Sequence, residues 1–128
     1  MSLSLPTLLQ VAAGGAIGAS SRYLVNIGLG RWLGTGFPWA TLTVNVVGSF
    51  LMGLLVVVLA HKDATRLAPF LMTGILGGFT TFSAFSLDAI TLWERGQTLL
   101  AAAYVAGSFV LSLAAIVAAL HLFRGVFA

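Results

Sequence analysis

The sequence predicts an all-α membrane protein: four transmembrane helices per subunit, the third broken near mid-membrane. Three observations predict this. Only 7% of the 128 residues are charged and 59% are hydrophobic, whereas a soluble domain carries about 25% charged residues. Four apolar stretches each reach the roughly 20 residues that a helix rising about 1.5 Å per residue needs to cross the hydrocarbon core. The third stretch carries a run of glycines and β-branched residues that form helices poorly.

Composition also excludes several function classes. The net charge is only +3, from six Lys/Arg and three Asp/Glu, and no basic cluster exists to hold nucleic acid. There is no Cys, so disulfides and Cys-based metal sites are ruled out. The first hydrophobic stretch is long and lacks a charged region before it, so it reads as a membrane span rather than a cleaved signal peptide.

The first span runs from about Leu5 to Leu29. Gly14 and Gly18 share one of its faces, with Gly15 and Ala19 beside them, a small-xxx-small pattern that lets helices approach closely in lipid. Arg22 lies inside this span but off-centre. A charge at the bilayer centre costs roughly 2.5–3.5 kcal/mol on insertion scales. Arg22 can therefore be read as a snorkelling structural residue or as a charge that draws anions into a vestibule. The first role, with some electrostatic benefit, fits its position better.

The second span runs from about Trp39 to Ala60. Thr41, Asn45 and Ser49 are spaced four apart and so share a helix face. Asn45 brings two N–H donors and one acceptor. It suits an interhelical hydrogen bond or a donor to a permeating ion, and a second polar stripe favours the donor.

The third span, about Leu67 to Trp93, contains Gly74, Gly77 and Gly78 followed by Thr80, Thr81 and Ser83. A break near Thr80 falls at mid-membrane. Non-helical backbone survives at that depth only when buried in protein or lining a cavity, and half-helix ends are ion sites in other membrane proteins. The fourth span, about Thr98 to Phe123, carries the second stripe, Tyr104, Ser108 and Ser112, again four apart in an otherwise apolar helix.

The breaks between spans hold most of the charge, and Trp32, Trp39 and Trp93 fall at predicted interfaces. Four spans put both termini on one side, with Lys62, Arg66 and Arg124. Arg31 and Arg95, and Arg22 if near its span's end, collect opposite. So small a bias leaves open a single topology or insertion in both orientations, which would permit an antiparallel homodimer. No catalytic constellation competes. His61 and His121 are isolated near span ends, and Asp88 and Glu94 lie on roughly opposite helix faces, so the chain does not read as an enzyme.

Three runs carry a resemblance. They are Gly14-Gly15-Ala16-Ile17-Gly18-Ala19 with Arg22-Tyr23; Thr41-Leu42-Thr43-Val44-Asn45 with Gly48 and Gly53; and Gly77-Gly78-Phe79-Thr80-Thr81-Phe82-Ser83-Ala84-Phe85-Ser86. Together they resemble the Fluc family of small fluoride channels. Ala84 departs from a common Thr, and Ala40 from a Gly that often precedes the Thr-Leu pair.

The resemblance implies an antiparallel, dual-topology homodimer with two pores in the cell's inner (plasma) membrane. It implies passive fluoride export that protects microbes from toxic accumulation. It further implies a structural Na⁺ on the two-fold axis, held by the backbone carbonyls of Gly77 and Thr80. Phe82 and Phe85 would line the pores, with Asn45 as a fluoride donor; the polar tracks read from spacing, with Thr41 on the second span and Tyr104, Ser108 and Ser112 on the fourth, would lie along the ion path. Aromatic ring edges carry partial positive charge, so both Phe residues could meet an anion edge-on.

Two other readings compete. A small dual-topology multidrug exporter needs a membrane-embedded carboxylate, and the first span has none. A non-transporting membrane assembly subunit would explain the glycines but not two polar stripes and a broken helix.

Overall fold

The computed structural model describes residues 2–128, and every regular element among them is helical. Helix α1 spans Leu5–Leu33. Ser4 caps its start by accepting the Thr7 N–H at 3.4 Å, and Pro6 sits in the first turn, where its missing N–H costs nothing. Gly34 closes the helix at φ +80°, a conformation that favours glycine, and its N–H returns to the Gly30 carbonyl at 3.0 Å. Helix α2 spans Trp39–His61, and the short turn Thr65–Leu67 leads into the third segment.

That segment has three parts. Pro69–Leu76 is wound as a π-helix, wider than the α-helix the sequence predicts. It continues into one α-turn, α3, at Gly77–Phe79. Thr80 and Thr81 are then extended, with ψ of 157° and 121°, before α4 runs over Phe82–Glu94. Helix α5 spans Thr98–Val126.

Three stretches, Trp39–His61, Thr65–Glu94 and Thr98–Val126, are long and apolar enough to cross a bilayer. Helix α1 is not among them, so length and apolarity support three of the four expected crossings. With 29 residues it has the length, but Gln10, Ser20, Ser21, Arg22 and Asn26 dilute its apolar run. It also continues four residues beyond the expected Leu29.

Packing follows the small residues. α2 lies along α5, α4 packs on α5, and α1 lies against the π-helical segment and α3. The α1 contact is backbone against backbone. A Cβ on Gly14 would stand 2.9 Å from the Gly74 Cα, one on Gly78 would stand 2.7 Å from the Gly15 carbonyl oxygen, and one on Gly18 would collide with the Ile75 carbonyl. Lipid gives helices no hydrophobic reason to associate, so such close approach supplies the packing energy. Phe85, Leu92, Ala101 and Tyr104 form the buried cluster between α4 and α5, with Phe37 from the turn between α1 and α2 packed on it. Many large apolar side chains remain on the outside, among them Leu24, Leu87 and Leu113.

Candidate functional site

The site begins at the break. A helix interrupted at Thr80–Thr81 strands backbone groups that cost several kcal/mol each if left unpaired in lipid. Side chains take up several of them. The Thr80 N–H still reaches the Leu76 carbonyl at 3.0 Å, and the Thr80 hydroxyl donates to the same oxygen at 2.9 Å. The Thr81 N–H would serve the Gly77 carbonyl in a continuous helix. It donates instead to Asn45 Oδ1 at 2.8 Å, while Asn45 Nδ2 donates to the Thr81 carbonyl at 3.0 Å. The Ala84 N–H, the helical donor for Thr80, goes to Thr81 Oγ1 at 3.1 Å as an N-cap bond. Arg22 Nε donates to the Gly78 carbonyl at 3.0 Å.

The carbonyls of Gly77 and Thr80 are therefore deprived of their helical donors by Asn45 and by the Thr81 hydroxyl. Two neutral oxygens without N–H partners suit a hard monovalent cation, and half-helix ends use such oxygens. Gly77 is also exposed on the chain's surface.

Beside the break lies a cavity of about 320 Å³. Asn45, Ser49 and Met52 from α2, Thr80 and Thr81 from the break, Phe82 and Phe85 from α4, and Ser108, Phe109 and Ser112 from α5 all border it. Gly48 keeps α2 close, because a Cβ there would collide with Thr80 Cγ2. The Ser108 hydroxyl is the unusual group. The residue is 5% exposed and its Oγ has no hydrogen-bond partner. Asn45 also keeps one N–H uncommitted after its two bonds to Thr81. The rings stand in angled pairs: Phe82–Phe85 centroids are 5.4 Å apart at 63°, and Phe85–Phe109 5.7 Å apart at 75°.

The structure thus brings Asn45, Phe82, Phe85, Ser108 and Ser112 to one cavity. Thr41 and Tyr104 are buried but do not border it. The Tyr104 hydroxyl donates to Asp88 Oδ2 at 3.1 Å, and its ring packs on Phe85 at 5.2 Å and on Phe37 at 5.5 Å. Ser49 bonds back to its own helix, donating to the Asn45 carbonyl at 2.7 Å. Arg22 does not border the cavity; it reaches the Gly78 carbonyl ahead of the break. Phe109 borders the cavity without having stood out in the sequence, where a lone Phe beside Ser108 gives no signal.

A family model described as "CrcB-like protein, Camphor Resistance (CrcB)" matches residues 9–120. The chain belongs to the CrcB-like family. Several relatives in that family carry the name "Fluoride-specific ion channel FluC". One from Cereibacter sphaeroides (strain ATCC 17029 / ATH 2.4.9) is 68% identical over 119 residues, covering 93% of this chain and 95% of that protein. One from Paracoccus denitrificans (strain Pd 1222) is 61% identical over 122 residues, covering 95% and 98%. One from Agrobacterium fabrum (strain C58 / ATCC 33970) is 54% identical over 119 residues, covering 91% and 95%. The CrcB-like match takes in the break and every residue that borders the cavity.

Proposed function

We propose that this chain is a fluoride-selective ion channel, not an enzyme, that lets fluoride leave the cell passively and so limits its toxicity. The observation that carries the reading is the Ser108 hydroxyl, buried and unpaired in a cavity shared with the spare N–H of Asn45. An unpaired buried hydroxyl costs roughly 1–3 kcal/mol, and an anion arriving there offsets that cost. Fluoride holds its water tightly, so a pore must replace that water with donors. Asn45, Ser108 and Ser112 supply them, and the edges of Phe82 and Phe85 add weak attraction that still allows exit. The names of the relatives above point to the same ion.

The functional unit we propose is an antiparallel homodimer in the plasma membrane, with α1 as a fourth crossing. Its glycine face along the third segment supports placing α1 in the bilayer. Phe82 is 68% exposed on a single chain while bordering the cavity, and a partner would enclose it. The carbonyls of Gly77 and Thr80 would hold a structural Na⁺ at the two-fold axis. Bound there, Na⁺ would supply fixed positive charge that offsets bringing an anion into low dielectric.

The test is efflux of fluoride from loaded liposomes containing the purified protein, with Phe82→Ile as the comparison. We expect the substitution to silence flux while dimers persist. Unchanged flux would remove the ring from the pathway.

A further inference from the structure

We infer that Arg22 is a positioning residue whose Nε hydrogen bond to the Gly78 carbonyl holds the break in its conducting shape, independently of its charge. The inference rests on the channel reading above. In an uninterrupted helix the Gly78 carbonyl would accept the Phe82 N–H. The chain turns away at Thr80, and Arg22 Nε replaces that donor at 3.0 Å across a separation of 56 residues. The replacement is aimed by α1. Gly14, Gly18 and Arg22 recur every four residues on one face. The first two are packed into the third segment so closely that neither tolerates a Cβ. Gly78 is fixed from its own side, since a Cβ there would stand 2.7 Å from the Gly15 carbonyl oxygen and 3.1 Å from the Ala19 nitrogen. Arg22, one turn beyond Gly18, thus meets the last turn of the first half-helix in a set register.

The other side of the break is held by Asn45 on Thr81. Two neighbouring helices therefore grip the extended residues from opposite ends. The peptides between these grips carry the Thr80 carbonyl and lead directly into Phe82, and the Gly77 carbonyl lies immediately before them. A shift of Gly78 would move all of them relative to Ser108.

The bond to Gly78 uses the nitrogen nearest the backbone, which separates geometry from charge. Gln places its amide nitrogen the same number of bonds from Cα as Arg Nε, without charge. Lys keeps the charge but places a methylene there. If Arg22 positions the break, Arg22→Gln keeps fluoride flux within about threefold of wild type, and Arg22→Lys loses about tenfold or more, the scale of one charged hydrogen bond. A vestibule charge gives the reverse order.

Both full-length variants are to be reconstituted as dimers. Flux is read by fluoride electrode, and the Gly78 carbonyl ¹³C resonance by solid-state NMR. That resonance reports the hydrogen bond whether or not the protein conducts. We expect it to move in Arg22→Lys and to stay near wild type in Arg22→Gln. Retained flux in Arg22→Lys overturns the inference, as does a lost flux with an unmoved Gly78 resonance. Loss in both variants supports it when the resonance moves in both. Absence of fluoride flux in the wild type would overturn the channel reading instead, and the resonance alone would then decide the role of Arg22.

Discussion

Asn45 grips the peptide of Thr81 at both ends, accepting its N–H at 2.8 Å and donating to its carbonyl at 3.0 Å. A side-chain amide thus bridges the two peptide groups that flank the Thr81 Cα, at the point where the third segment stops being a helix. The pairing settles two backbone groups that lipid could not, and it leaves the Gly77 carbonyl without its helical donor.

Replacing Asn45 tests this grip. Asn45→Ala leaves both Thr81 groups unpaired, at about 1–3 kcal/mol each. We expect a clear loss of thermal stability together with loss of fluoride flux. Unaltered stability would mean that the break holds itself.

Ser108 should behave in the opposite way. Its hydroxyl is buried without a partner, so Ser108→Ala removes a desolvated polar group rather than a bond. Stability should stay the same or rise by up to about 1–2 kcal/mol, while flux falls. A stability loss of similar size with normal flux would show that the hydroxyl serves the fold and not the ion.

Tyr104 stands apart from Ser108 and Ser112 of its own stripe. Its hydroxyl serves Asp88 and it does not border the cavity. Tyr104→Phe keeps the ring that packs on Phe85 but leaves the Asp88 carboxyl without this donor. We expect a stability cost of about 1–3 kcal/mol and flux near wild type. Abolished flux at full stability would put the Tyr104 hydroxyl back on the ion path.

The glycine contacts make a paired prediction. Gly18→Ala drives a methyl into the Ile75 carbonyl, and overpacking of this kind costs about 1–3 kcal/mol or more. Gly15→Ala meets nothing within 4 Å and raises helix propensity by up to about 1 kcal/mol. Thermal denaturation in detergent should therefore rank Gly15→Ala at or above wild type and Gly18→Ala well below. Equal stability of the two would mean that α1 does not dock as described.

Much of this was legible in the sequence, for reasons that are local. The glycines followed by threonines marked the break, because residues that form helices poorly act where they stand. The apolar stretches marked α2, the third segment and α5 by length alone. What was not legible depended on rotation and on distant partners. Residues four apart share a face, but each step of four turns about 40° past the last at 3.6 residues per turn. Over the two steps between Tyr104 and Ser112 the drift approaches a quarter turn. Ser108 and Ser112 therefore border the cavity while Tyr104 turns to Asp88 and Thr41 is left outside. The pairings of Asn45 with Thr81 and Arg22 with Gly78 span 36 and 56 residues, and no spacing rule connects them. The π-helical winding of Pro69–Leu76 leaves no mark in the pattern of apolar residues.

The most direct test of the account is electrogenic efflux from liposomes loaded with fluoride or with chloride. Purified protein is reconstituted, a K⁺ ionophore balances the charge, and the released anion is followed by an ion-selective electrode. Fluoride should be released rapidly and chloride retained. Fluoride release no faster than from protein-free liposomes, or equal release of both anions, would contradict it.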